Sequence, residues 1–129
     1  MENFKIDVDA DGIALVTFDV PGRSMNTLTS SVMAEMPQLV ETIKSDDAIK
    51  GVVLTSGKTS GFCAGADLGD MAGGMPAGGS LQEAYDAGWK LNGALRALET
   101  CGKPVAAAIN GLALGGGLEL TLACHYRVV

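Results

Sequence analysis

Residues Lys103 to Val129 read KPVAAAINGLALGGGLELTLACHYRVV. An apolar strand runs into three consecutive glycines, and these lead into a helix carrying one acid, Glu119. Val105 to Ile109 are small and apolar, as a strand buried on both faces requires. Gly115, Gly116 and Gly117 let the backbone turn sharply with no Cβ in the way. The first N–H groups of a helix have no intrahelical partner and lie at its positive end, so such a turn can hold a developing oxyanion. A tight strand-to-helix turn packed against a neighbour would account for the glycines equally well. Glu119 favours the functional reading: it sits in the apolar run Leu118-Glu119-Leu120-Thr121-Leu122-Ala123, where burying a carboxylate is costly without a purpose or a partner.

A second glycine turn lies upstream. Ser60-Gly61-Phe62-Cys63-Ala64-Gly65-Ala66-Asp67-Leu68 follows the apolar strand Gly51-Val52-Val53-Leu54-Thr55-Ser56. Ligand sites in parallel sheets gather at the carboxyl ends of the strands, so the two turns can each aim one backbone N–H at the same oxygen. Asp67 reads as an N-cap for the helix that follows rather than as a catalytic acid.

Outward from these turns the chain reads as one α/β domain without internal repeats. Phe4–Val8 and Ile13–Phe18, separated by Ala10-Asp11-Gly12, predict a hairpin. Thr29 or Ser30 caps a helix with core face Val32, Met33, Met36, Val40 and Ile43. Pro37 lies inside it and costs about 3 kcal/mol there, which predicts a kink or a break into two short helices. The glycine-rich stretch 72–79 is a flexible insertion or a lid over the site. Ser80-Leu81-Gln82-Glu83 is a capping box, and Cys101-Gly102-Lys103-Pro104 stops the helix it opens. The expected core face of that helix is Leu81, Tyr85, Gly88, Asn92, Leu95 and Leu98 or Glu99, flanked by Trp89.

Composition narrows the function classes. With 47% hydrophobic and 19% charged residues and no long uncharged run, the sequence has the make-up of a soluble globular protein without a membrane span. No apolar segment follows the acidic opening Met1-Glu2-Asn3, so the cytoplasm is the expected compartment. The three cysteines, Cys63, Cys101 and Cys124, lack the pairing of a zinc site and read as reduced, mostly buried thiols, so no metal is implied. A net charge of -6 argues against nucleic acid as a partner. His125 is the only histidine, and with no serine elbow a hydrolase triad is unsupported. It reads as a structural histidine. GLALGGG lacks the Lys-Ser/Thr of a P-loop, and no GxGxxG with a downstream acid occurs.

FCAGADL (residues 62–68) and KPVAAAINGLALGGGLEL (residues 103–120) together resemble the two signature segments of the enoyl-CoA hydratase (crotonase) family. GIALVTFDVPGRSMNTLT and LTLACHYRVV are most similar to the hydratase part of that family's multifunctional fatty-acid oxidation α-subunits. The resemblance covers the whole chain. It implies a crotonase (ClpP-like) fold of repeated ββα units, of which residues 1–129 are the N-terminal part, a partial domain without the second half of the fold. The alternative is a complete short protein, whose final strand, Tyr126 to Val129, would leave an apolar edge to be covered by another chain or prone to aggregation. The implied reaction is hydration of trans-2-enoyl-CoA to 3-hydroxyacyl-CoA. The N–H groups of Ala66 and Gly116 would form the oxyanion hole, Ala64 would lie beside the CoA adenine, and Glu119 would be one of two catalytic glutamates. The second belongs to a Pro-Glu segment that falls after Val129. The substrate carries coenzyme A and no separate cofactor is implied; Arg23, Lys58 and Lys103 are candidate contacts for it only by default, each reading first as a solvated surface charge. The family also implies a homo-oligomer or a β-oxidation complex as the assembly. Alternatives within the resemblance are an isomerase or another acyl-CoA enzyme on the same scaffold. Outside it stands a non-catalytic CoA-thioester binder.

Overall fold

The computed structural model describes residues 1–70 and 80–129. The stretch read as a candidate lid, 72–79, lies outside the described residues. The elements run β1 (Phe4–Val8), β2 (Ile13–Phe18), α1 (Ser30–Ser45), β3 (Gly51–Ser56), α2 (Leu81–Glu99), β4 (Val105–Ala108), α3 (Gly116–Leu122) and β5 (Tyr126–Val128). The strands form one sheet in the order β1-β2-β3-β4-β5. β1 and β2 are the expected antiparallel hairpin, and β2 to β5 are parallel, joined by helical crossovers. The fold class is therefore α/β, as the sequence implies.

Alternation decides which face is covered. Ala14, Val16, Phe18, Val52, Leu54, Val105 and Ala107 are buried and share a core with Val32, Met36, Leu39, Val40 and Ile43 of α1. The opposite face carries Ile13 and Leu15 exposed, Val53 and Ala106 half-buried, and Tyr126 and Val128 exposed. Burial of β4 on both faces is thus not observed: Val105 and Ala107 are buried, while Ala106 and Ala108 are only half covered. Parallel sheets are ordinarily packed on both sides.

Three helical expectations change. α1 does not break at Pro37 and runs as one helix, with Thr29 rather than Ser30 as its N-cap. Pro37 sits on the exposed side of α1, away from the core. The capping box of α2 is present, with Ser80 and Glu83 each accepting from the other's backbone. Its expected core face is not: Leu81, Tyr85 and Trp89 are 93%, 61% and 64% exposed, and Gly88, Asn92 and Glu99 are exposed too. Among the described side chains of α2 only Ala94 and Leu98 are buried, with Leu91 and Leu95 packed at their margin. Helical periodicity identifies an apolar stripe, but whether a layer exists to receive it is a tertiary fact. Tyr85 and Trp89 instead stack on each other, with ring centroids 6.0 Å apart. His125 is structural, as expected: its Nδ1 accepts from the Val105 N–H at 3.0 Å, and its own N–H donates to the Val105 carbonyl.

The ends of β2 and β3 are tied by a fully buried side chain, Asn26. Its Oδ1 accepts from Val20 N–H at 2.9 Å, and its Nδ2 donates to Phe18 O at 2.8 Å, Ser56 Oγ at 2.9 Å and Phe62 O at 3.2 Å. Asn26→Ala strands those buried groups and should cost about 3 kcal/mol, read as a lower denaturation midpoint. All three cysteines are buried and free. Burial raises the Cys63 thiol and pushes Cys124 up to about 12, so alkylation at pH 8, followed by mass, should label neither in the native protein and all three in denaturant.

Candidate active site

Strands β3 and β4 are neighbours and parallel, so the chain leaves both at the same edge of the sheet. The segments that follow are locked together. Phe62 and Cys63 N–H both donate to Leu112 O at 2.9 and 3.0 Å, and Leu114 N–H donates to Cys63 O at 3.0 Å. Asn110 Nδ2 donates to Lys58 O at 2.8 Å. The approach is closest at Gly117, where a Cβ would collide with the Cys63 carbonyl oxygen and lie 2.8 Å from the Cys63 Cβ. No other residue type fits there without moving a backbone.

This interlock brings two of the expected site residues together. A Cβ on Gly65 would lie 3.3 Å from the nitrogen of Gly116, and one on Gly116 would lie 3.8 Å from the nitrogen of Ala66. Neither the Ala66 nor the Gly116 N–H donates to another oxygen among the described residues. Peptide planarity fixes where they point, since N–H and C=O of one trans unit are opposed. Gly65 O accepts from Leu28 N–H at 2.8 Å, which turns the Ala66 N–H away from that bridge. Gly115 O accepts from Glu119 N–H at 3.0 Å, which turns the Gly116 N–H out of the first turn of α3. Two unpaired donors on adjacent turns are an arrangement able to hold negative charge on one oxygen.

Glu119 departs from expectation. It is exposed, not buried in an apolar run, because its side of α3 faces away from the sheet while Leu120 and Thr121 are buried against it. It is still near the donors, with Oε2 3.8 Å from the Cβ position of Gly116. Ala64 is exposed on the turn after β3 that carries Ala66, its N–H held by Asn26 O at 2.9 Å.

The three basic candidates are engaged within the fold. Arg23 pairs with Asp67 at 2.6 Å, and Lys103 Nζ donates to Asp46 O at 2.6 Å. Lys58 pairs with Asp19, donates to Val20 O at 2.7 Å, and has only 12% of its side chain exposed, so it is not a solvated surface charge. Asp67 caps as expected, Oδ1 accepting from Asp70 N–H at 3.0 Å, but Thr27 and Arg23 also donate to it. The Asp70 N–H, then Thr27, then Arg23 hold its carboxyl below the usual carboxylate range. Asn26, Thr27 and Leu28, which orient this turn, were not expected as contributors to the site; the side-chain amide in a stretch without helical or strand periodicity was the available signal.

A family model described as enoyl-CoA hydratase/isomerase matches residues 9–129. Among curated relatives, the fatty acid oxidation complex subunit alpha of Idiomarina loihiensis is 46% identical over 97% of this chain and 17% of its own length. That of Shewanella halifaxensis is 45% identical over 98% of this chain, again 17% of its own length. The chain thus spans about a sixth of the curated relatives it matches. Among solved structures, an enoyl-CoA hydratase from Bacillus anthracis superimposes with TM-score 0.82 at 31% identity, covering 97% of this chain and 46% of that one. An enoyl-CoA hydratase/carnithine racemase from Magnetospirillum magneticum gives TM-score 0.84 at 33% identity, covering 98% and 46%.

Gly117→Ala tests the interlock. The added methyl should cost about 1–3 kcal/mol or more, because backbone rather than a flexible side chain must yield, and limited proteolysis should show the 60–66 turn cleaved faster.

Proposed function

The chain belongs to the enoyl-CoA hydratase/isomerase (crotonase) family, and on that premise we propose that it serves the hydration of trans-2-enoyl-CoA to 3-hydroxyacyl-CoA in fatty-acid β-oxidation. The observation that carries this reading is the pair of undonated N–H groups of Ala66 and Gly116 on interlocked turns. Adding water across the double bond joins the water oxygen to C3 and a proton to C2, and negative charge builds on the thioester oxygen in between. Two preorganised donors stabilise that charge, and losing one such donor typically costs about 10²–10³ in rate. Being backbone atoms, they need no titration and no side-chain rotamer.

Glu119 is the proposed acid, one turn into α3 beside the hole. Water must lose one proton as it attacks and C2 must gain one, work that two carboxyl groups flanking one water can share. The partner acid is proposed to lie in a Pro-Glu segment after Val129, so residues 1–129 offer half of the pair. The exposure of Glu119 is in keeping with a site whose second wall comes from elsewhere in the polypeptide or from a partner. Ala64 is assigned to the CoA adenine, an acyl-CoA thioester is the substrate, and the thioester supplies its own coenzyme. The proposed setting is an oligomer or a multi-subunit oxidation complex, like those for which the curated relatives are named.

The same exposure favours a second reading for these residues by themselves: binding of a CoA thioester without turnover. Ala66 and Gly116 do not separate a hydratase from an isomerase, since both can use such a hole; an acid at Glu119 favours hydration. Glu119→Gln, in the chain as its complete gene encodes it, should lower hydration of a short 2-enoyl-CoA by about 10²-fold or more while leaving acyl-CoA affinity unchanged by calorimetry. Equal turnover removes Glu119 from the mechanism.

A further inference from the structure

We propose, resting on the hydratase reading above, that Asp67 with its partner Arg23 is the positioning residue of the oxyanion hole, holding the Ala66 N–H on its line of fire. Gly65 takes φ +95 and has no side chain to limit its own rotation. The orientation of the Gly65–Ala66 peptide therefore depends on what grips its neighbours. On one side it is the single bond from Leu28 N–H to Gly65 O. On the other it is Asp67, whose N–H reaches Leu28 O at a long 3.3 Å.

The Asp67 carboxylate supplements that weak link. The residue is only 6% exposed. Oδ1 accepts from Asp70 N–H at 3.0 Å, the bond of an ordinary helix cap. Oδ2 is occupied otherwise: it accepts from Arg23 Nη1 at 2.6 Å and from Thr27 Oγ1 at 3.0 Å. Neither donor belongs to the capped helix. Both belong to the loop between β2 and α1, and Thr27 directly precedes Leu28, the residue that grips Gly65 and Asp67. One carboxylate thus clamps together the two segments whose spacing sets the direction of the Ala66 N–H. Asn, Ser or Thr would serve as the cap alone; a second, charge-assisted contact to an arginine requires the carboxylate. The lowered carboxyl keeps this clamp charged at neutral pH.

The test, made in the chain as its complete gene encodes it, uses Asp67→Asn, which keeps a capping oxygen, and Arg23→Met, which removes a cation from a half-exposed site and leaves the cap untouched. Each should lower kcat by about 10- to 100-fold, the cost of a donor displaced rather than lost, with affinity for a CoA thioester within about threefold. In both variants the infrared carbonyl stretch of a bound enoyl thioester should move towards its solution frequency. The double variant should lose no more than the worse single one, since both remove the same contact. If the variants lower only the unfolding midpoint, with kcat and the carbonyl frequency unchanged, Asp67 is a structural cap and the proposal falls while the hydratase reading stands. If the unsubstituted protein itself leaves the bound carbonyl unshifted, there is no working hole and both fall.

Discussion

The close contact of Gly117 with Cys63 is the constraint on which the site depends. β3 and β4 lie side by side, so the chains leaving them emerge a strand spacing apart. To bring a nitrogen of one turn against a nitrogen of the other, the backbones must approach more closely than side chains permit. Gly117 and Gly65 supply that approach from opposite sides, one under the Cys63 carbonyl and the other under Leu114 O. Once the turns interlock through Leu112 O and Cys63 O, the remaining freedom lies in the tilt of two peptide planes, and each is fixed by what its own carbonyl accepts.

Much of this was legible in the sequence because it is local. The hairpin, the capping box and the strand-to-glycine-turn pattern each reside in one short contiguous stretch, where period and turn chemistry decide the outcome. The two turns could be set at one edge because parallel strands deliver their carboxyl ends there, whereas Ala66 and Gly116 themselves were singled out only by the family resemblance. What could not be read was burial contributed by other layers. Leu81, Tyr85 and Trp89 repeat at helical spacing, but the period carries no information about whether anything packs on them. Glu119 fails in the same way: its neighbours Leu118 and Leu122 are apolar yet 45% and 59% exposed. The apolar run read as buried is a stripe with one covered side.

The buried polar residues were the other blind spot. Asn26 belongs to a stretch with no periodicity, and its four bonds go to residues as far away as Ser56 and Phe62. Sequence offsets of that size are set by topology, which only the assembled sheet reveals. Asp67 was legible as a cap because Asp70 is three residues on, whereas its contacts with Arg23 and Thr27 span more than forty and forty residues respectively. The general pattern is that the two glycine turns could be found locally, while the side chains that brace them from a distant loop could not.

Aiming is the harder physical requirement. A backbone N–H is a fixed dipole whose benefit falls with misalignment, and a turn built from glycine has little torsional stiffness of its own. The stiffness must come from hydrogen bonds made by neighbouring groups, and those bonds are strongest where they are buried and charge-assisted. The Gly116 N–H meets this more simply, because the first turn of α3 orients it and the far end of α3 is held by Arg127, whose Nη1 donates to Thr121 O in its last turn at 3.2 Å and to Cys124 O just beyond it at 2.9 Å. The Ala66 donor has no such helix behind it. Its turn leans instead on the loop between β2 and α1, through Asn26 at Ala64, Leu28 at Gly65 and the Arg23–Asp67 pair beyond. A loop remote in sequence from either glycine turn therefore holds the 64–67 turn in place, and substitutions there should be read as changes to that turn.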